Sequence, residues 1–338
     1  MNTVGMLRTS NKPRILARTV AYICQYNKIN FFYFSPEDVD IRNKKINAQV
    51  FKHGKWVRKI VDYPDIVDNE PMKISNKKIY SSLKEISIFT TNPLGGKNKV
   101  FNLLKQSKLF DDVLIPYKLV KNIDDILPFL NSYPKILLKP VFSNQGRNIV
   151  AITRKENKYQ LINDNFIKDY KYEELIKHIN QNYLNPAHIC QPFIESKTKE
   201  GYPFDVRLHV RKNTHGQWEK VKIYPRIGIG RNITSNISQG GAISPIVPFL
   251  KTNFKNNWLE IKNKLELLCK TFPSRFESLY NYPLDALGID LGIDYNGNIS
   301  LFEVNTYPGQ QFFYAEDAEV RVDYFKYLLK IKLLKDQN

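Results

Sequence analysis

The segment LFEVNTYPG at residues 301–309 is the most informative part of this chain of 338 residues. Apolar and polar side chains alternate from Phe302 to Asn305, which is typical of a β-strand. Successive side chains of a strand point to opposite faces, so Glu303 and Asn305 share one face. A carboxylate and a carboxamide on one face of a buried strand are oxygen donors suited to a hard cation.

A second acidic residue, Asp290, belongs to the preceding predicted strand, residues 286–294. If the two strands are neighbours, Asp290, Glu303 and Asn305 converge. Magnesium takes hard oxygen ligands and usually keeps substrate phosphates as further ligands, so two carboxylates and one carboxamide suit a metal bound to a nucleotide. The alternative is that both acids are ordinary turn or rim carboxylates. The apolar residues that flank them favour the metal site.

Lys139 ends a short apolar strand that the sequence predicts at residues 135–139. Burial of an ammonium group without a partner costs several kcal/mol, so Lys139 needs an anionic partner. The polar loop at residues 143–147 contains Gly146 and can present backbone N–H groups to phosphate oxygens. A solvated or salt-bridged lysine is the competing interpretation, because the chain contains no GxxxxGK[ST] motif.

Two arginines are the next candidates for anion binding. Asp205, Arg207 and His209 lie on one face of a predicted strand, and Arg226 belongs to the strand that follows. The planar fork of arginine suits phosphate or carboxylate oxygens. An internal pair between Asp205 and Arg207 is the alternative, and we interpret His209 as structural.

The segment TSNISQGGA at residues 234–242 contains Asn236 and a double glycine. This composition fits a loop whose backbone approaches a ligand, although a plain surface loop fits it too. The chain contains no Gly-x-Ser-x-Gly elbow and no cysteine beside a plausible histidine partner. The sequence therefore favours chemistry on phosphates over nucleophilic hydrolysis.

Composition limits the class of protein further. The 51 basic and 33 acidic residues give a formal net charge of +18, but lysine is spread along the whole chain and no arginine-rich arm or nucleic-acid motif occurs. We therefore do not expect nucleic acid as a partner. Signal-peptide and membrane-span patterns are absent, so we expect a cytoplasmic protein without membrane contact, and we expect three reduced core cysteines.

Hydrophobic periodicity predicts an α+β fold without an internal repeat. A helix at residues 13–25 and a strand at 29–34 open the chain, and the breaker at residues 92–96, NPLGG, indicates a domain boundary. The strands on either side of the loop at 143–147 are predicted to form a flap. An amphipathic helix at residues 254–269 and a closing helix at 317–334 complete the pattern.

In this order, the motifs resemble the ATP-grasp superfamily of carboxylate ligases over residues 97–309. The closest pattern is the YheC/YheD-type branch, which is associated with bacterial spore coats, because residues 64–68, PDIVD, are similar to its N-terminal segment. The C-terminal half is also similar to the ribosomal-protein glutamate ligases. The matching positions are Lys97 after Gly95-Gly96, Lys139, Gln145-Gly146, the hinge Gln191-Pro192-Phe193-Ile194, Asp205-Val206-Arg207, Arg226, Asn236, Asp290, Glu303 and Asn305.

The resemblance implies an ATP-grasp fold, in which two α+β lobes clamp ATP, with a small N-terminal α/β domain. It places that domain at residues 1–94, a lobe with the lysines and flap at 95–190, and a lobe with the hinge, arginines and metal ligands at 191–338. Spore association becomes a second expected location beside the cytoplasm. The oligomeric state is not predicted.

The resemblance also implies a role for each matching residue. The hinge binds adenine through the Pro192 carbonyl and the Ile194 N–H. Asp205 binds ribose, with Glu195 as its rival. The remaining roles are phosphate binding by Lys97 and Lys139, closure of the flap by Gln145 and Gly146, contact with the phosphates and acyl-phosphate by Arg207, Arg226 and Asn236, and metal coordination by Asp290, Glu303 and Asn305.

The implied activity is that of an ATP- and Mg²⁺-dependent carboxylate-amine ligase, with Mn²⁺ as a substitute metal. A carboxylate would attack the γ-phosphate of ATP, and an amine would open the resulting acyl-phosphate to form an amide. Expected substrates are small-molecule or peptide carboxylates and amines, and the surplus of positive charge favours acidic ones. A non-catalytic, ATP-binding spore-coat or scaffold protein is the alternative.

Overall fold

The computed structural model describes residues 2–71, 76–141, 149–163, 166–185, 188–228 and 241–337. The strands of this part of the chain form three sheets, which follow one another along the sequence. Each sheet has its own apolar core, because helices cover the faces that would otherwise remain exposed.

The first sheet has the strand order β3-β4-β2-β1-β6-β7, and β5 pairs with the free side of β4. Strands β2, β1, β6 and β7 are mutually parallel, and β4 runs antiparallel to both β2 and β5. Its elements are β1 (Thr3–Leu7), α1 (Ile15–Tyr26), β2 (Asn30–Phe34), β3 (Val39–Asp40), β4 (Lys45–Lys52), β5 (Lys55–Asp62), β6 (Ile66–Asn69), α2 (Lys77–Lys84) and β7 (Ile88–Phe89).

The second sheet is antiparallel and has the order β12-β11-β10-β9-β13-β8. Its neighbouring strands β9 and β10 flank the predicted flap loop. The elements are α3 (Lys97–Ser107), β8 (Lys118–Val120), α4 (Leu127–Ser132), β9 (Lys135–Pro140), β10 (Val150–Arg154), β11 (Tyr159–Ile162), β12 (Ile167–Tyr170), α5 (Tyr172–Asn182) and β13 (His188–Pro192).

The third sheet is antiparallel with the order β16-β15-β14-β17-β18. The large core between this sheet and α7 includes Phe204, Leu265, Phe272 and Leu287. The elements are β14 (Phe204–Lys212), β15 (Trp218–Ile227), β16 (Ala242–Ile243), α6 (Ile246–Asn253), α7 (Trp258–Glu277), β17 (Ala286–Ile293), β18 (Ile299–Thr306) and α8 (Tyr314–Gln337).

The last helix returns to the first sheet. Val322, Phe325 and Leu329 of α8 belong to the same apolar cluster as Val20 and Cys24 of α1. Burial of large apolar side chains contributes roughly 1.5–3 kcal/mol each, so this contact holds the C-terminal helix firmly on the N-terminal sheet.

A buried ionic network joins the first sheet to the third. Arg321 of α8 donates to Asp317 from Nε at 3.1 Å and from Nη2 at 3.0 Å, and its Nη1 donates to Asp68 of β6 at 2.8 Å. Asp317 also accepts from Arg211 Nε at 3.2 Å and lies 3.1 Å from His209 Nε2. Burial alone would raise the pKa of Asp317, but Arg211 and Arg321 hold it well below its usual value.

The structure differs from the sequence predictions at element boundaries. Strand β1 precedes the first predicted helix, and the helix predicted at 254–269 is α7, which begins and ends later and contains Pro273. Helix α6 is separate from α7, and the sequence analysis did not predict it. All three cysteines are buried and free, as predicted. Within the described ranges, no helix has the length and apolar character needed to cross a membrane.

Candidate functional site

Three neighbouring strands bring the charged residues together. Arg207 on β14 is the register partner of Asp290 on β17, and Asp290 is the partner of Glu303 on β18. Side chains of register partners lie on the same face about 5 Å apart, so the three form a row across the sheet.

A β-bulge decides which face of β18 carries the polar residues. The register shifts between Asp290 and Leu291, because Asp290 pairs with Glu303 whereas Leu291 pairs with Leu301. Strict alternation would put Glu303 on the same face as Leu301, which is fully buried. The extra residue, Phe302, breaks the alternation, so that Leu301 can face the core while Glu303 faces the opposite side.

Asp290 is held by three side chains. Arg207 donates to it from Nε at 2.6 Å and from Nη2 at 2.7 Å, while Arg226 Nη2 lies 2.8 Å from its Oδ2. Asn305 Nδ2 donates to the same oxygen at 3.3 Å. Burial would raise the pKa of Asp290, but Arg207 and Arg226 outweigh it and lower the pKa below the usual value. Asp290 is therefore an ionised carboxylate.

Asp205 pairs across strands with Arg226, whose Nε and Nη2 donate to its two oxygens at 2.6 and 2.8 Å. The internal pair of Asp205 with Arg207, left open from sequence, is therefore wrong. The pair does not form because Asp205 and Arg207 lie two residues apart on the same strand, whereas Arg226 lies directly opposite Asp205 on β15. Glu195, the other ribose candidate, is exposed and forms an ion pair with Lys197 at 3.3 Å.

The two predicted phosphate-binding lysines both lie near Glu303. Lys97 begins α3 directly after Gly96, and the preceding Gly95 has a φ of +94°, which favours glycine. The Nζ of Lys97 is 3.5 Å from Glu303 Oε1. Burial lowers the pKa of Lys139 to about 8, with Glu303 opposing and Lys97 reinforcing the shift. The anionic partner expected for Lys139 is thus Glu303, at longer range than a direct ion pair.

Phe302 supplies an apolar surface beside Lys139. A Cβ atom built on Gly292 would come within 2.1 Å of the Phe302 ring, so the ring lies directly on that glycine. The Nζ of Lys139 is 5.6 Å from the centroid of the same ring. A flat aromatic face next to a cation is a suitable surface for a planar ligand with a charged end.

The hinge, residues 191–194, begins within β13 and continues past its last residue, Pro192. Gln191 and Pro192 are register partners of Leu137 and Ile136, and the Phe193 N–H donates to the Lys135 carbonyl at 3.0 Å. Backbone groups of successive strand residues point to alternate sides, so the Pro192 carbonyl points away from β9. The same alternation explains why proline is tolerated there, since it lacks only an N–H that β9 would not accept.

A second apolar surface lies beside the hinge. Leu137, Ile149 and Ala151 form a small cluster with Phe193 packed against it. Lys135 places its Nζ 3.7 Å from the Phe193 ring centroid, a contact that the sequence analysis did not predict. Its only sequence signal is a lysine directly before the apolar run of β9, the strand that pairs with β13.

The donor set at Asp290, Glu303 and Asn305 fits a magnesium ion chemically. All three side chains supply oxygen. Within the described residues, no three His, Cys, Asp or Glu side chains are grouped so as to hold a metal ion, so a site here would need the Asn305 carboxamide as its third donor. Arg207 and Arg226, which both bind Asp290 in this structure, would share that carboxylate with the cation.

Three predicted site residues lie outside the described residues: Gln145 and Gly146 of the flap, and Asn236. The structure brings together Lys97, Lys139, Glu303, Asp290 and Asn305 with Arg207 and Arg226. One feature that sequence reasoning missed is Tyr307, whose φ of +54° is unusual for a non-glycine residue.

The Tyr307 ring lies 5.2 Å from the Arg8 guanidinium carbon. Arg8 follows β1 and donates to Asp68 Oδ2 at 2.9 Å. This contact joins the turn after Asn305 to the carboxyl edge of the first sheet. No local sequence signal predicts it, because the two residues are far apart in the chain.

Comparison with known proteins identifies the family of this chain. The family model "YheC/D like ATP-grasp" matches residues 85–332. Two curated relatives, the endospore coat-associated proteins YheD and YheC of Bacillus subtilis, are each 24% identical over 299 residues. The match covers 83% of this chain and 65% of YheD, and 84% of this chain and 82% of YheC.

A solved structure has a similar fold. It is the RiPP-associated ATP-grasp ligase of Chryseobacterium gregarium, solved in complex with ADP and a leader and core peptide. The TM-score is 0.51 at 12% identity, and the alignment covers 99% of this chain and 97% of that one. Because the family model spans most of the chain and the fold is that of ATP-grasp ligases, this protein belongs to the YheC/D-like ATP-grasp family.

Proposed function

We propose that this protein is an ATP- and Mg²⁺-dependent carboxylate-amine ligase that forms an amide bond through an acyl-phosphate. The observation that carries the proposal is the row Arg207, Asp290 and Glu303 across three strands, with Lys97 3.5 Å from Glu303. A purely structural role does not require two lysines, two arginines and an oxygen donor set around one cleft.

The proposed reaction has two steps. A substrate carboxylate oxygen attacks the γ-phosphorus of ATP in line, the bond to the bridging oxygen breaks, and ADP leaves. The nitrogen of an amine then attacks the acyl carbon, phosphate leaves, and the amine loses a proton. Phosphoryl transfer of this kind depends on positioning and charge neutralisation more than on a dedicated base.

The residues divide this work by their chemistry. Lys97 and Lys139 contact phosphate oxygens, and the apolar surfaces of Phe302 and Phe193 receive the base, with the Pro192 carbonyl and Ile194 N–H as its polar contacts. Arg207 and Arg226 orient Asp290 and face the acyl-phosphate. Asp290, Glu303 and Asn305 would hold the divalent cation, which would supply charge neutralisation at the phosphates.

The remaining assignments extend the same proposal. Gln145 and Gly146 close the flap, and Asn236 contacts the acyl-phosphate. Ribose is bound by Asp205 or Glu195, and the exposure of Glu195 makes it the more accessible of the two. The division into units 1–94, 95–190 and 191–338 is likewise proposed. The spore-coat relatives support a spore-associated location.

Substrates are proposed to be small-molecule or peptide carboxylates and amines. Support for a peptide comes from the fold, which this chain shares with a ligase solved with a leader and core peptide. The net charge of +18 favours an acidic substrate.

The test is ADP release in the presence of ATP, Mg²⁺ and a panel of amino acids and acidic peptides, with hydroxylamine added to trap an acyl-phosphate as a hydroxamate. We expect ADP and hydroxamate in equal amounts with at least one carboxylate. The Lys139→Met and Glu303→Gln variants should lose both products. Tight ATP binding without ADP release across the whole panel would instead favour the ATP-binding spore-coat or scaffold protein.

A further inference from the structure

Strand β5 is an exposed edge of the first sheet. In the described part of the chain its eight residues pair only with β4, and most of its side chains are solvent-exposed. Val57 and Ile60 are 51% and 69% exposed. A long strand with an open side offers unpaired backbone groups to another extended chain.

The turn between β4 and β5 fixes which backbone groups are open. His53 and Gly54 form a two-residue turn with φ values of +49° and +77°, so Lys52 and Lys55 are the closing hydrogen-bonded pair. Hydrogen-bonded and non-hydrogen-bonded pairs alternate along an antiparallel ladder. The backbone N–H and C=O groups of Trp56, Arg58 and Ile60 therefore point away from β4.

The face beside this edge is strongly basic. Lys52 and Lys55 are register partners, and Lys59 lies four residues further along the same face of β5. None of these three lysines has an ion-pair partner within the described residues, whereas Arg58 on the opposite face is paired with Asp38. A row of uncompensated ammonium groups attracts an acidic ligand.

Helix α2 extends the positive charge on the same side of the sheet. Its residues Tyr80 and Leu83 pack in one cluster with Ile46 and Ala48, which share a face with Lys59. An open cavity of about 460 Å³ between α2 and the turn before β4 is lined by Lys44, Lys77, Lys78, Ile41, Ser81, Ser82 and Glu85. Glu85 is paired with Lys44 at 3.1 Å, so Lys77 and Lys78 carry the unbalanced charge.

We propose that the β5 edge binds an extended acidic peptide segment as an added strand, with its acidic side chains against Lys52, Lys55 and Lys59. The inference deepens the proposed function, on which it rests, because the docked segment would belong to the ligase substrate. It gives the enzyme a recognition surface on a different sheet from the candidate catalytic residues.

Charge and backbone geometry favour this occupant over two others. In a two-fold antiparallel pairing centred on Val57, a second copy of the chain would place its Lys59 opposite Lys55, and like charges directly opposite destabilise a strand pair. Nucleic acid would match the charge but cannot use the open N–H and C=O groups of Trp56 and Ile60 as a ladder. An acidic peptide satisfies both features.

The test is the fluorescence anisotropy of a labelled peptide of alternating Glu and Val, about eight residues long to match the strand, titrated with the full chain in the absence of nucleotide. Three competitors are a peptide with proline at every second position, a Lys-Val peptide, and a single-stranded RNA of equal charge. We expect saturable binding of the Glu-Val peptide and no competition by the other three. If the proline peptide competes as strongly as unlabelled Glu-Val peptide, strand addition is overturned. If RNA binds more tightly than the Glu-Val peptide, an acidic peptide as the ligand is overturned.

Variants identify the surface. The double variant K55E/K59E should weaken peptide binding about tenfold or more, since reversal of two exposed charges alters several weak charge contacts. Ile60→Pro removes an outward N–H that β4 does not use and should weaken binding about fivefold. The matched control K270E/K330E makes the same change in net charge at exposed positions on α7 and α8 and should leave binding unchanged.

Two further measurements complete the test. Sedimentation of the wild type should give the same species across protein concentrations; a dimer abolished by K55E/K59E overturns the proposal in favour of self-pairing. Affinity for a non-hydrolysable ATP analogue should be equal in wild type and K55E/K59E. Loss of peptide binding with retained nucleotide binding separates failure of this inference from failure of the proposed ligase function.

Discussion

Lys139 and His209 are the two single residues whose surroundings give the sharpest expectations. Lys139 is a cation kept in a desolvated position near Glu303, which lowers its pKa to about 8. Such a position is unfavourable for stability, and the proposed function assigns it to the binding of an anionic ligand. His209 is fully buried, belongs to the network around Asp317, and makes edge-to-face contact with Phe313 at 5.0 Å.

Replacement of Lys139 by methionine should reduce affinity for a non-hydrolysable ATP analogue by about tenfold to a hundredfold, because a charge-assisted hydrogen bond contributes roughly 1.5–3 kcal/mol. The same variant should be at least as stable as wild type, since it removes a desolvated charge. Calorimetric titration and thermal unfolding measure the two effects. Lys270→Met is the control, and a Lys139 variant that binds the analogue normally contradicts the phosphate role.

His209 should make stability depend on pH. Burial lowers its pKa, although Asp317 opposes the shift. The unfolded chain, with a histidine pKa near 6.5, then binds more protons than the folded chain below that value, so the free energy of unfolding falls as pH decreases. Urea unfolding at several pH values between about 7 and 5 should show a smaller decrease for His209→Gln than for wild type. Equal slopes would mean that His209 does not titrate in this range.

At the scale of elements, the bulge in β18 is the feature that builds the site. It turns Glu303 and Asn305 away from the core and leaves the Phe302 ring on Gly292. Regular alternation already predicts that Glu303 and Asn305 share a face. It does not predict the bulge, because the position of an extra residue depends on how β17 and β18 pair.

Gly292→Ala tests the contact between β17 and β18. Its Cβ would lie 2.1 Å from the Phe302 ring, so the ring must move. We expect a loss of about 1–3 kcal/mol in the free energy of unfolding, together with weaker binding of the ATP analogue. Gly309→Ala, where a Cβ meets no atom within 4 Å, is the matched control for stability. Unchanged nucleotide affinity in Gly292→Ala would remove Phe302 from the proposed base-binding surface.

The sequence predicts most strands and helices of the site, because their periodicity is local. It also predicts that Asp290, Glu303 and Asn305 converge. It could not choose the partners of Asp205 and Arg207, since those pairs depend on strand register, and the partner of Arg207 is 83 residues away. The left-handed backbone of Tyr307 was equally invisible, because tyrosine has no intrinsic preference for that conformation.

At the scale of the whole molecule, the network of Asp68, Arg321 and Asp317 connects the N-terminal sheet to the sheet that carries the site. All three side chains are at most 1% exposed. Breaking one partner of a buried pair leaves an uncompensated charge, which costs far more than the net value of the pair. The closing helix was predicted from sequence, but its ionic contacts with β6 and β14 were not.

Arg321→Met should therefore lower the free energy of unfolding by about 3–5 kcal/mol, because Asp68 and Asp317 lose their shared cation. Urea denaturation measures the change. Lys330→Met on the exposed face of the same helix should change stability little. A loss below about 1 kcal/mol for Arg321→Met would contradict a coupling role for the network.

A nucleotide and a divalent cation must bind at one site if this protein is the proposed ligase. A calorimetric titration of the full chain with a non-hydrolysable ATP analogue, in Mg²⁺ and again in EDTA, tests this directly with wild type and Asn305→Leu. We predict tight binding to wild type in Mg²⁺, at least about tenfold weaker binding in EDTA, and little difference between the two conditions for Asn305→Leu. Equal affinity of wild type in Mg²⁺ and EDTA, or no binding at all, contradicts the account.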